Sequence, residues 1–209
     1  MMKKIEVFDR YYKDYEEWFI KNRNIFLSEL KVIKSFVDDN LKGIEIGVGS
    51  GIFAEPLGIK YGIEPSEKMG EIAKKRGINV IRAFAEEIPF DDESFDFALM
   101  VTTICFVDDP IKSLKEAYRI IKKDGFILVG FVPLDSHLGS LYNSKKEGSK
   151  FYKDANFYKT SEVRNFLEIA GFKNIIERET LFENTNDYVQ DYGEGSGKGS
   201  FVVMKGEKE

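Results

Sequence analysis

Three glycines and three carboxylates carry most of the chemistry legible in this chain of 209 residues. Gly47, Gly49 and Gly51 alternate in Gly43-Ile44-Glu45-Ile46-Gly47-Val48-Gly49-Ser50-Gly51, just after a short apolar run that holds Glu45. Glycines at that spacing let the backbone take positive φ and approach a ligand with no Cβ in the way. A helix starting at Gly51 or Ile52 would turn unpaired N–H groups toward whatever sits in the turn. Glu64 ends the next apolar run, where a carboxylate can accept both hydroxyls of a ribose; a strand-end acid in solvent is the plainer reading. Glu86 follows the third run, in Ala83-Phe84-Ala85-Glu86-Glu87-Ile88-Pro89-Phe90. His137, the only histidine, follows the fifth run, where a base near neutral pH could deprotonate an amine or hydroxyl. Its alternative is a surface or packing role.

The glycine spacing separates two ligand classes. A dinucleotide turn, G-x-G-x-x-G counted from Gly47, needs glycine at position 52, which is Ile52. An NAD(P) oxidoreductase is therefore disfavoured. The segment Tyr192 to Gly199 is glycine-rich and holds Lys198, but Tyr192 and Gly199 break the phosphate-loop pattern. It reads as a mobile loop of a terminal hairpin.

These residues must be held by strands and helices in alternation. Strands are expected at Gly43 to Ile46, Ile59 to Ile63, Asn79 to Arg82, Phe95 to Val101 and Phe126 to Val132. Helices are expected at Ile52 to Leu57 (cut by Pro56), Glu67 to Lys75 and Ile111 to Lys122, the last capped by Asp108 or Asp109 with Pro110 in its first turn. A helix capped by Thr160 or Ser161 should end at Gly171. Two closing strands, Lys173 to Leu181 and Ser200 to Met204, have no helix between them. The pattern predicts an α/β fold: a doubly wound, Rossmann-like, mostly parallel sheet with a terminal antiparallel hairpin. Two N-terminal helices precede it. The first, Phe8 to Asn22 with Asp9 as its cap, sets Tyr11, Tyr15, Trp18 and Phe19 near one face. It is either a helix packed on the domain or a lid, and in the second case Tyr11, Tyr15 and Trp18 would touch substrate. The second, Asn24 to Phe36, stops at Asp38-Asp39-Asn40.

Composition narrows the classes. A chain 43% hydrophobic with net charge −5 implies one domain, 1–209, with an ample core. It divides into N-terminal helices (1–40), a ligand-binding core (41–132) and a substrate-side segment with the hairpin (133–209). No basic run favours nucleic acid. The single cysteine, Cys105, fits a reducing compartment. The charged start, Met1 to Lys4, predicts no signal peptide, and no run is long enough to span a bilayer. A cytoplasmic location follows as the default. Helix capping accounts for Asp108 and Asp109, so no metal is expected.

Taken in order, Glu45/Gly47/Gly49/Gly51, Glu64-Pro65-Ser66, Ala85-Glu86-x-Ile88-Pro89-Phe90, Ser94-Phe95-Asp96 and Arg119 to Gly125 resemble the motifs of class I S-adenosylmethionine (SAM) methyltransferases. The resemblance spans residues 40 to 132 and is nearest the ubiquinone/menaquinone-biosynthesis type. It implies that Gly47, Gly49 and Gly51 wrap the methionine end of SAM and that Glu45 shapes the turn near its amino group. Glu64 would hold the ribose. Ala85 N–H and the Glu86 carboxylate would meet adenine, with Met69 packed on the ring or in the core. Thr102 would line the methyl channel at the end of the fourth strand. Phe84, in place of a small or polar residue, and Pro56 depart from the pattern. Thr102-Thr103-Ile104-Cys105-Phe106 lacks the motifs of amide-nitrogen and cytosine-C5 methylating enzymes. The implied reaction is SAM-dependent methylation of a small acceptor at N, O or C, such as an amine like histamine or a quinone, leaving S-adenosylhomocysteine. The alternative is a SAM-binding regulatory protein without turnover.

Overall fold

A computed structural model describes residues 2–38 and 40–209. Its centre is one eight-stranded sheet in the order β3-β2-β1-β4-β5-β8-β6-β7. The strands are β1 (Gly43–Ile46), β2 (Tyr61–Ile63), β3 (Asn79–Ile81), β4 (Phe95–Val101), β5 (Ile121–Phe131), β6 (Lys173–Thr180), β7 (Gly193–Glu194) and β8 (Phe201–Glu207). The first five are parallel, and β8 enters antiparallel between β5 and β6. The helices are α1 (Met2–Lys21), α2 (Arg23–Lys34), α3 (Glu67–Lys75), α4 (Pro110–Ile120), α5 (His137–Lys145) and α6 (Thr160–Ala170). This is the doubly wound sheet with a terminal hairpin that the alternation predicts.

Strand β4 shows how sequence becomes two layers. Successive side chains on a strand point to opposite faces. Ala98 and Met100 join Leu114 and Ala117 of α4 and Val163 and Leu167 of α6 in one core. Phe97, Leu99 and Val101 join Val32 and Ile33 of α2 and Ala73 of α3 in the other. Each of the valine, leucine, isoleucine, methionine and phenylalanine side chains fully buried here contributes roughly 1.5–3 kcal/mol. On β1, Ile44 and Ile46 belong to the α4–α6 core, so alternation turns Glu45 to the α1–α3 face.

Local signals set several ends. Ser66 Oγ accepts from Met69 N–H and starts α3, Glu67 lies in its first turn, and Lys74 and Lys75 lie in its last. Asp109 Oδ1 accepts from Lys112 N–H at 2.9 Å to cap α4, with Pro110 behind it.

Elsewhere the structure departs from expectation. Residues 51–58 form successive turns, not a helix; Pro56 has no N–H to return to the Ile52 carbonyl. β5 begins at Ile121, which pairs with Phe95, and the ladder resumes at Phe126 opposite Phe97. The residues between bulge outward, Asp124 with φ 64°. Asp9 caps no start of α1, which runs through it and kinks at Tyr11. Its Oδ1 instead accepts from Ser66 Oγ at 2.6 Å and Lys68 N–H at 3.0 Å. The cap position of α6 is Lys159, whose N–H donates to Glu162. The glycine-rich loop supplies the edge strand β7, and Glu179 Oε2 accepts from Lys198 and Gly199 N–H. Asp39, in the acidic stop after α2, lies outside the described residues.

Candidate active site

The turn after β1 is built so that only glycine fits. Gly47 has φ +71°, and a Cβ there would stand 2.5 Å from Thr103 Cγ2 and Oγ1. Gly51, at φ +82°, would drive a Cβ to 2.4 Å from Ile78 Cδ1. Gly49, at φ +53°, has more room: its nearest neighbours would be Met69 Cε at 3.5 Å and Tyr15 Oη at 3.6 Å. Gly47 and Val48 N–H both donate to the Ile63 carbonyl at 2.9 Å, tying the turn to the end of β2. Glu64 strengthens that tie. Its Oε2 accepts from Gly49 N–H and its Oε1 from Ser66 N–H, each at 2.8 Å. Burial pushes the Glu64 carboxyl up to about 7, against the pull of these two donors.

Glu45 is buried behind the turn, and burial holds its carboxyl well above the ordinary range, opposed by an Ala54 N–H. Among the described residues, the side-chain N and O atoms sealed from solvent and without a hydrogen-bond partner are Glu45 Oε2 and Ser50 Oγ. Both belong to this one turn. Orphaned buried polar atoms cost free energy unless something satisfies them. The glycines themselves leave the backbone open to a polar ligand end on the cavity side.

A cavity of about 220 Å³ opens beside the turn. Gly47, Gly49, Glu64, Met69, Ala85, Glu86 and Thr102 line it, as do Tyr15 and Trp18 from α1. Thr102 sits at the end of β4 with φ 49°, an uncommon conformation for a threonine, and its N–H donates to the Gly130 carbonyl at 2.7 Å. Glu86 also works within the fold, because its Oε1 accepts from Asp108 N–H at 2.8 Å at the entry to α4.

Four sequence-predicted residues lie off the cavity lining. Glu45 and Gly51 sit behind the turn. Tyr11 faces Phe151, with Lys150 Nζ 5.1 Å from its ring centre. His137 is exposed in the first turn of α5.

The far wall is aromatic. Phe8, Phe106 and Phe151 meet in tilted and edge-on pairs, and Tyr142 stacks on Tyr152 at 5.2 Å. Burial pushes the Tyr15 and Tyr152 phenols up, and Glu45 and Glu64 add to the effect on Tyr15. Helix α1 crosses this wall and is bound to the core at several points. Besides Asp9, Glu16 accepts from Arg76, whose Nη1 also donates to the Ser50 carbonyl at 2.6 Å.

Sequence reasoning singled out neither Glu29 nor Phe53, which line the cavity; Leu138, Tyr142 and Leu181, which also line it, fall in the segment 133–209 expected on the substrate side. For Glu29 a signal existed. It lies between Ile25 and Val32 on the buried side of α2, a carboxylate inside an apolar stripe. For the others, ordinary core residues look the same in sequence.

An open parallel sheet with a glycine turn after β1 and an acid closing β2 defines a nucleotide-binding crevice at the carboxyl ends of the strands. Comparison with known proteins narrows it. A family model described as "Methyltransferase domain" matches residues 44–129. A solved SAM-dependent methyltransferase of Thermotoga maritima, described as a possible histamine N-methyltransferase, is 50% identical with TM-score 0.95; the match covers 98% of this chain and 99% of that one. An uncharacterized protein of Methanocaldococcus jannaschii is 44% identical over 98% of this chain and 100% of its own length. A ubiquinone/menaquinone biosynthesis C-methyltransferase of Rickettsia prowazekii is 35% identical over 59% of this chain, which spans 50% of that enzyme's length. The chain belongs to the SAM-dependent methyltransferase family, and its cofactor is S-adenosylmethionine.

Proposed function

We propose that the acceptor is a small molecule, held between the cofactor turn and the aromatic wall. The observation that carries this reading is the single cavity that joins Gly47, Gly49 and Glu64 to Tyr15, Trp18, Tyr142 and Tyr152 under helix α1. A macromolecular acceptor would need an open groove and, for nucleic acid, a basic face. Here the net charge is −5.

In this reading Glu64 takes the ribose hydroxyls, and Ala85 and Glu86 border the adenine beside Met69. The backbone of Gly47 and Gly49 meets the amino-acid end, on a turn that Glu45 and Ser50 support from behind. The cofactor supplies an electrophilic methyl on a sulfonium. With the cofactor bound, an N, O or C nucleophile of the acceptor would take that methyl as its bond to sulfur breaks, leaving the bonding pair on sulfur. Any proton on the nucleophile leaves to solvent or a base. The chain's part is alignment and exclusion of water, which can supply much of the acceleration. Helix α1 acts as a lid, latched by Asp9 on Ser66 and by Glu16 on Arg76. The single cysteine supports a reducing, cytoplasmic setting; among the described residues no helix is long and apolar enough to cross a membrane.

Calorimetric titration with SAM and S-adenosylhomocysteine, followed by turnover with a panel of amines and quinols, tests the reading. Glu64→Ala removes two charge-assisted contacts and should weaken cofactor binding roughly 100-fold or more. Unchanged affinity in that variant would refute the placement of the cofactor.

A further inference from the structure

Glu29 is the unexplained group of the cavity. It is 7% exposed, on the buried side of α2, and lines the cavity with Ile25 one turn before it. Among the described residues no donor or cation pairs with it. Burial alone pushes its carboxyl up to about 8, with no contribution from Glu45 or Glu64. Its own charge acts on the phenols of Tyr15, Tyr142 and Tyr152. Those three rings come from α1, α5 and the segment after it. Glu29 therefore shares the cavity with these rings.

A buried carboxyl without a partner destabilises the fold, and leucine or methionine would pack there better. Its presence makes sense if a ligand completes it. The surroundings say which ligand. Aromatic faces at Tyr15, Trp18, Phe19, Tyr142 and Tyr152 attract a cation, and a carboxylate pairs with one. A quinone brings no positive charge, so it would leave the ionised form of this buried carboxyl uncompensated, whereas an ammonium pairs with it.

We propose that Glu29 anchors a nitrogen of the methyl acceptor, so that the acceptor is a small amine held against this carboxylate inside the aromatic enclosure. The inference rests on the reading of the cavity as a joint cofactor and acceptor site. It assigns Glu29 to binding and leaves open which atom of the amine is methylated.

The test uses the full chain saturated with S-adenosylhomocysteine. Histamine and 2-phenylethylamine are titrated calorimetrically beside the uncharged 2-phenylethanol and the quinone menadione. The amines should bind more tightly than 2-phenylethanol and menadione by roughly tenfold or more. Glu29→Gln should weaken the amines roughly tenfold and Glu29→Leu further, with 2-phenylethanol unmoved. Both variants should keep their affinity for S-adenosylhomocysteine, which also reports that they fold. Amines that bind no better than 2-phenylethanol, or that bind equally well to Glu29→Gln, would overturn the proposal while leaving the cofactor site intact. Failure of the wild-type chain to bind S-adenosylhomocysteine would instead overturn the joint-site reading beneath it.

Discussion

Replacing Glu29 by glutamine should change stability in a way that grows with pH. The folded chain raises this carboxyl from an ordinary 4.5 to about 8. Between those values the folded state holds a proton that the unfolded chain has released. Folding then takes up a proton, so the contribution of Glu29 falls as pH rises from 4.5 to about 8 and is flat beyond. At 1.36 kcal/mol per pH unit the full effect is capped at about 5 kcal/mol. Structural relaxation and water entering the cavity reduce it. Glutamine keeps the shape without the titration, so Glu29→Gln should match the wild type near pH 5 and exceed it near pH 9. For a chain of this size each kcal/mol is worth roughly 2–4 °C, which bounds the gain at roughly 10–20 °C. The assay is thermal unfolding of ligand-free protein, wild type and variant, in steps from pH 5 to pH 9. Glu45 and Glu64 are also raised by burial, but they are present in both proteins and cancel in the difference. A difference in melting temperature that stays constant across this range would refute the reasoning.

Three further outcomes follow from the geometry. Gly47→Ala places a Cβ 2.5 Å from Thr103 at φ +71°; it should cost roughly 1–3 kcal/mol in melting experiments and weaken SAM binding more than it weakens the fold. Arg76→Ala frees Glu16 and the Ser50 carbonyl, so stopped-flow measurement should show faster release of S-adenosylhomocysteine, and an unchanged rate would remove the latch. His137→Ala alters an exposed side chain outside the cavity lining and should leave methylation rate and its pH profile within about twofold, the range of a surface change; a larger loss would restore the histidine as a base.

Much of this protein was decided by short-range sequence. The bounds of β1, α3 and β4 were legible residue by residue, because apolar runs, the Ser66 cap and the stop at Gly77 act within a few positions. The glycine turn was legible too, since positive φ at Gly47, Gly49 and Gly51 is a backbone requirement that the residue type announces. The cofactor was implied by the resemblance that these motifs, in their order, bear to class I SAM methyltransferases.

How the acceptor half of the cavity packs came only with tertiary structure. Asp9 looked like the cap of its own helix, yet it serves α3, 57 residues away from Ser66. Glu86 looked free for a ligand, but one of its oxygens is spent on the entry to α4. Glu29 stands in an apolar stripe of α2, but only the fold shows that Tyr15 of α1, Tyr142 of α5 and Leu181 after β6 share a cavity with it. A turn or a cap is fixed by the few residues that form it. The burial of one carboxylate depends on every element packed around it, and no local pattern in the chain records that sum.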